Sequence, residues 1–310
     1  MKGSADAKKG GPRYPAEARA AGVPLGGPPG LHPTLLVGSI FYDRHGIVSD
    51  MKAGLFDEVA AGGLLVEQDR WSALTGNPCM VDVVASSPRA IERYLEFVLA
   101  RTQAPVMVDG SSPAVRIAGL RWAARAGVIG RVVYNSLSPE SGPEEFEALA
   151  ETGCSSAVIL SLSSSDLSLE GRLRTLRGPG GLVERARQAG IEAILVDPGV
   201  IDLPSLGVAR EAMRLIQQEH GLPTGTAAHN ALGTWGGLRD GKLGTDARRP
   251  LTAVVDALNT AWGGSFLLYG PLSLASLVFP AVAAVDACLA QALLEAGTMV
   301  DLDHPLFRIA

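Results

Sequence analysis

Apolar runs of strand length alternate with helical periodicity along most of this chain. Residues 34–41 form a continuous apolar run, and a helical pattern from Asp50 through Leu55, Phe56 and Val59 stops at Gly62-Gly63. Strand-like runs recur at 64–68, 106–109, 132–135, 157–161, 193–197, 225–230 and 265–269. Helical patterns follow them at 88–100, 113–126, 144–151, 182–189, 205–220, 251–261 and 279–295, with Pro280 expected to open the last. The strands are apolar throughout rather than alternating, which implies a sheet covered on both faces, as parallel α/β architectures require. Eight such units in 310 residues predict a (β/α)8 TIM barrel of about 250 residues plus extensions. A doubly wound sheet would carry GxGxxG after its first strand or a Walker-type loop, and neither is present. The Gly-rich stretch from Arg177 to Gly181 is read as a loop entering a helix.

Residues 1–30 are rich in Gly, Pro, Ala, Lys and Arg and lack the apolar centre of a secretory signal. They are expected to be a flexible N-terminal extension, leaving residues 31–310 as a single barrel domain. Residues 257–285 carry no charge, which raises the question of a spanning helix. Gly263, Gly264, Gly270, Pro271 and Pro280 interrupt the stretch, so no membrane insertion is expected. A hydrophobic content of 47% supports a full core, and a net charge of -5 without a Lys/Arg stripe argues against nucleic acid. Cys79, Cys154 and Cys288 are odd in number and widely spaced, so neither a disulfide framework nor a thiolate metal site is expected, and a reducing cytoplasm is.

Four polar signatures end apolar runs: Asp109 after Pro-Val-Met-Val, Asn135 after Arg-Val-Val-Tyr, Asp197 after Ala-Ile-Leu-Val, and His229-Asn230. Each has a local explanation. Asp109 can cap the next helix, although Ser111 or Ser112 can do so instead. Asn135, and Asp197 before Pro198, can simply make turns. Parallel strands of one barrel, however, bring their C-terminal ends to a common mouth, where carboxylates and amides would meet a flat, nitrogen-rich ring. Ser111, Ser136, His229 and the Asn77 of Thr75-Gly-Asn-Pro78 are further mouth candidates. His32, His45, His220 and His304 are scattered and give His229 no partner at ligand spacing, so no metal is expected. Asp43-Arg-His45-Gly46 misplaces the glycine of the corrinoid-ligating Asp-x-His-x-x-Gly motif and is read as a loop.

The strings Pro33 to Tyr42, Thr75 to Pro78, Tyr134 to Ser136, His229-Asn230, Phe266 to Pro271 and Phe279 to Val282 resemble the MtrH subunit family of tetrahydromethanopterin S-methyltransferase and its relatives, the methylcorrinoid:tetrahydrofolate methyltransferases. The likeness covers roughly residues 26–297 and departs at the N terminus, where a polar, Gly-rich tail replaces the family's strand. It implies a barrel of the pterin-binding, dihydropteroate synthase-like type. It also implies that Asp109, Asn135 and Asp197 hold the pterin and that Asn230 lies near N5 as the catalytic residue. The implied activity is methyl transfer, in one-carbon metabolism, between a methylated corrinoid and N5 of tetrahydrofolate or tetrahydromethanopterin. With no corrinoid-binding domain in this chain, the corrinoid is expected on a separate partner protein, and the likeness suggests a homodimer. A catalytically silent subunit that binds pterin or the corrinoid protein is the alternative.

Overall fold

A computed structural model describes residues 14–244 and 246–308. The chain enters through a hairpin of β1 (Ala18–Ala20) and β2 (Val23–Leu25). β3 (Leu35–Ile40) is followed by a small antiparallel pair, β4 (Val48–Asp50) and β5 (Leu55–Phe56), and by α1 (Glu58–Thr75). Next come β6 (Cys79–Ala85) and α2 (Pro88–Leu99), β7 (Val106–Gly110) and α3 (Pro113–Arg125), and β8 (Val132–Leu137) and α4 (Pro143–Thr152). β9 (Ser156–Leu160) leads into α5 (Leu169–Arg174) and α6 (Leu182–Gln188), and β10 (Ala193–Asp197) into α7 (Ser205–His220). β11 (Gly225–Thr226) gives way to a 3-10 segment, Ala228–Thr234, one turn of α8 (Gly236–Arg239) and α9 (Arg248–Ala261). β12 (Phe266–Pro271) and α10 (Ala275–Glu295) complete the circuit.

Eight parallel strands run in the order β10-β9-β8-β7-β6-β3-β12-β11. A parallel bridge between Val196 and Thr224, with Val196 N donating to Pro223 O at 2.9 Å, joins the two ends of that order, giving the expected (β/α)8 TIM barrel. Period-two alternation divides the apolar residues into two layers. Leu35, Val37, Met80, Met107, Val133, Val158, Leu195 and Phe266 pack inside the barrel. Leu36, Val81, Val108, Tyr134, Ile194 and Leu267 join the core under the helices.

Several elements differ from the sequence expectation. The run 64–68 is the middle of α1, not the second strand. Its buried positions Ala61, Leu65, Gln68 and Thr75 fall at helical spacing, while Val66 is 67% exposed. Helix α1 starts at the Asp57 cap, which accepts from Ala60 N at 3.0 Å, and ends at Gly76 with φ 81, so Gly62-Gly63 does not stop it. The second barrel strand is β6, whose apolar run is broken by Asp82, and residues 50–56 belong to β4, β5 and their turn rather than to a helix. The seventh strand ends at Thr226, so His229 and Asn230 lie beyond it. The last helix begins at Ala275, with Pro280 inside it.

The expected flexible extension is also corrected for its described part. Ala20 and Leu25 are buried in the inner cluster at the floor of the barrel, and Ala21 N donates to Ser156 Oγ at 3.2 Å. The glycines that suggested flexibility permit close packing. Gly30 has φ 91, and a Cβ there would stand 2.6 Å from Ala290 N of α10. Residues 1–13 lie outside the described residues. Together with the turn before it, α10 is long and apolar enough to cross a membrane (Leu272–Glu295, mean hydropathy 2.0), yet one face buries Val278, Phe279, Val282, Ala283 and Asp286 within the protein.

Candidate functional site at the barrel mouth

Two positions beyond the inner-layer residues Val37, Met80, Met107, Val133 and Leu195 stand Ser39, Asp82, Asp109, Asn135 and Asp197. Alternation turns these side chains inward as well, so the apolar plug of the barrel ends in a ring of polar tips. A cavity of about 370 Å³ opens there, lined among others by Ser39, Tyr42, Asp82, Asp109, His229 and Asn230. That volume falls within the usual range for small-molecule sites.

Ser39 Oγ donates to Asp82 Oδ2 at 2.8 Å and Asn135 Nδ2 to Asp82 Oδ1 at 3.3 Å, so Asp82 links three strands. Burial pushes its carboxyl up to about 8, with the Asp109 charge adding to the rise and the Ser39 and Asn135 hydrogen bonds opposing it. Asp109 is raised by burial to about 6, against the pull of Gly110 N, which donates to Oδ1 at 2.6 Å, and of Arg116. Asp197 is likewise raised by burial to about 6, opposed by the Thr226 hydroxyl, by backbone N–H groups including Gly199 N at 2.7 Å, and by Arg172. Arg116 is fixed behind the mouth by Tyr134 Oη (3.0 Å), Gly110 O (2.9 Å) and Glu145 Oε1 (2.5 Å), and Tyr134 also bonds Glu145.

Burial drives His229 down to about 4, so its ring is neutral near pH 7. Nδ1 lies 2.9 Å from Leu268 O, and because a carbonyl only accepts, the ring proton belongs on Nδ1 and Nε2 is left as an acceptor. Gly270, with φ 89, makes room for this ring: a Cβ there would be 2.9 Å from Nε2.

Asp109, His229 and Asn230 therefore line the cavity. Asn135 joins it through Asp82, and Asp197 occupies the inward tip of β10 on another part of the rim. Ser111 is exposed, with its backbone N–H bonded to Ala85 O, and Ser136 sits at the register shift between β8 and β9; neither lines the cavity. Asn77 is a correction. It precedes β6 and is buried at the opposite end, where Nδ2 donates to Thr34 O (3.1 Å) and Asp286 Oδ2 (2.6 Å). Ser39, Tyr42 and Asp82 were missed. The Asp in Cys-Met-Val-Asp-Val-Val-Ala was the available signal, obscured by assigning the second strand to 64–68. Among the described residues, no group of three or more His, Cys, Asp or Glu is placed to hold a metal.

The family model for the tetrahydromethanopterin S-methyltransferase MtrH subunit matches residues 17–300. The tetrahydromethanopterin S-methyltransferase H-subunit of Methanothermobacter thermautotrophicus is 37% identical over 296 residues, covering 93% of this chain and 96% of that protein. The H-subunit of the putative mtx methyltransferase of Methanosarcina acetivorans is 35% identical with the same coverage. Among solved structures, Yersinia pestis dihydropteroate synthase with a sulfonamide drug complex superposes with a TM-score of 0.60 at 17% identity, covering 91% of this chain and 100% of that one. Xanthomonas albilineans dihydropteroate synthase in complex with 7,8-dihydropteroate gives 0.56 at 18%, covering 84% and 94%. At such identities these two structures speak for the barrel fold, while the sequence matches across nearly the whole chain make the protein a member of the MtrH family.

Proposed function

We propose that this protein is a methyltransferase that moves a methyl group between a corrinoid carried by a separate protein and N5 of a tetrahydropterin, either tetrahydromethanopterin or tetrahydrofolate. The observation that carries the reading is that Asp109, Asn135 and Asp197 stand on inward strand tips at the same end of the barrel, where Asp109 lines a cavity of bicyclic-ring size and Asn135 bonds Asp82 on its wall. In it Asp109 and Asp197 accept hydrogen bonds from the ring's amino and amide edge, and Asn135 offers both a donor and an acceptor. These contacts form in a site walled by Val84 and Leu268, where exclusion of water strengthens them. Asn230 faces N5, and the neutral His229 presents an acceptor nearby.

Methyl displacement asks the protein for alignment more than for a nucleophile, because the electron pairs come from the pterin nitrogen and the corrinoid metal. The chain's task is to hold the ring so that N5 points out of the mouth toward the docked partner. The three cysteines are free thiols, which suits a cytoplasmic setting. A homodimer and a corrinoid-protein partner belong to the same proposal. The relatives' designation as subunits favours a second reading, a binding component without turnover of its own.

Calorimetry with each tetrahydropterin, followed by methyl-transfer assays with methylcobalamin and with a methylated corrinoid protein, tests the proposal. Pterin binding with turnover is the expected result. Binding without turnover even when the corrinoid protein is supplied selects the second reading; absence of pterin binding overturns the methyltransferase reading, and absence of corrinoid-protein binding as well overturns both.

A further inference from the structure

Asp82, at 2% exposure, is more deeply buried than Asp197, and it shares one cavity wall with Asp109 from the neighbouring strand. Among the described residues, no Lys or Arg lines that cavity. Two carboxylates confined together in a low dielectric do not both ionise readily, so near neutral pH the pair retains a proton. The surroundings decide where it resides. Asp109 has the Gly110 N–H on Oδ1 and the Arg116 guanidinium behind it, both of which favour its charged form. Asp82 has only neutral partners, Ser39 from β3 and Asn135 from β8. The other titratable groups facing the cavity are Tyr42, from the loop after β3, and His229, from the segment after β11. Tyr42 is pushed further toward its protonated form by burial, and His229 is neutral with its one ring proton committed to Leu268 O. Asp82 is thus the member of the pair that keeps the shared proton near neutrality.

We propose that Asp82 is the proton donor and acceptor for the methyl-bearing nitrogen of the pterin, an inference that rests on the pterin methyltransferase reading above. When the methyl group leaves the pterin, the Asp82 carboxylic acid gives its proton to N5, and the N5–carbon bond breaks with its electron pair remaining on nitrogen. The methyl carbon takes its new bond from the pair on the reduced metal of the corrinoid partner. In the opposite direction the N5 lone pair attacks the methyl carbon of the methylated corrinoid, the carbon–metal pair stays on the metal, and the N5 proton passes to the Asp82 carboxylate. Asn230 then orients N5, and the proton itself travels through Asp82.

The two directions have opposite pH requirements, which makes the test sharp. In the wild-type protein, transfer from methylpterin should slow as pH rises through the upper titration of the carboxyl pair, and transfer to pterin should accelerate over the same range. In Asp82→Asn both limbs should vanish and kcat should fall by about 100-fold, in the range of general acid–base contributions. Pterin Kd should change by no more than about 3-fold, since Asn offers similar hydrogen bonds to Ser39 and Asn135. Calorimetry in buffers of differing ionisation enthalpy supplies a readout apart from turnover: the proton exchanged on pterin binding should disappear in Asp82→Asn. Ser39→Ala keeps the carboxyl and removes a hydrogen bond that favours its ionised form, so both limbs should move to higher pH. Should Asp82→Asn fail to fold, that shift decides the matter. Asp82→Asn with wild-type pH limbs, or Ser39→Ala without a shift, overturns the assignment. A wild-type protein that binds no pterin overturns instead the reading on which it rests.

Discussion

At the floor of the barrel Asp286 accepts from Thr34 N (3.0 Å), Thr34 Oγ1 (2.9 Å) and Asn77 Nδ2 (2.6 Å), and the N-terminal hairpin packs beneath this end. At the mouth Asp109 and Asp197 accept from the backbone N–H groups of Gly110 and Gly199 at inward strand tips, and Asp109 lines an open cavity. Asp and Asn occur at both ends. The Asp286 carboxylate has both oxygens engaged by the chain itself at the floor, where they stabilise, while the mouth acids stand at strand tips that a ligand can reach. The residue type is therefore a poor guide to role until the end of the barrel is known.

The largest effect that sharpens this contrast is Asp286→Ala. It leaves the Thr34 N–H and the Asn77 amide short of a buried partner and should lower unfolding free energy by about 2–6 kcal/mol in urea titration, at about 1–3 kcal/mol for each of the two groups. A loss below about 1 kcal/mol would erase the distinction between the two ends.

Next comes pH. Burial raises Asp286 to about 6, so the folded state holds this proton more tightly than the unfolded chain does. Its contribution to stability is then fully present below about pH 4 and is lost as pH rises through about 6. Asp82, Asp109 and Asp197 act in the same direction, while His229 and His304, lowered by burial, act oppositely below about 6.5. Comparing wild type with Asp286→Asn at each pH isolates one group. The difference between them should shift by about 3 kcal/mol between pH 4 and 7, in favour of Asn as pH rises. A flat difference would show that Asp286 titrates normally.

Smaller still, Asn135→Ala and Asp197→Ala should each weaken pterin binding by about 1–3 kcal/mol while leaving the unfolding midpoint within a few degrees of wild type. Unchanged pterin affinity in both would remove the mouth's claim to recognition. Ser111→Ala should be silent in both binding and stability, since its side chain is exposed and away from the cavity. A measurable loss of affinity would extend the site beyond the inward tips.

Much of this was legible in the order of residues. Strands buried on both faces read as unbroken apolar runs, and Asp109, Asn135 and Asp197 end three of them. Asp82 was not legible as a site residue because it lies inside β6, where a charge in an apolar run suggests that the run is not a strand. Exchanging 79–85 for 64–68 also carried Asn77 from the floor to the mouth, because an error of one element reverses which end of a strand a turn occupies. The N-terminal hairpin was hidden for another reason: Gly26, Gly27 and Gly30 have the composition of a tail, yet each adopts positive φ in an ordered approach to the barrel.

Sequence alone determined the alternation of strands and helices, the burial of both sheet faces, and three acids and amides at strand tips, because periodicity and turn chemistry act between near neighbours. Tertiary structure decided which polar groups close on each other and which face a common cavity. Asp82 meets Ser39 and Asn135 only after strands 43 and 53 residues apart are brought into one ring, a closure that no local pattern encodes.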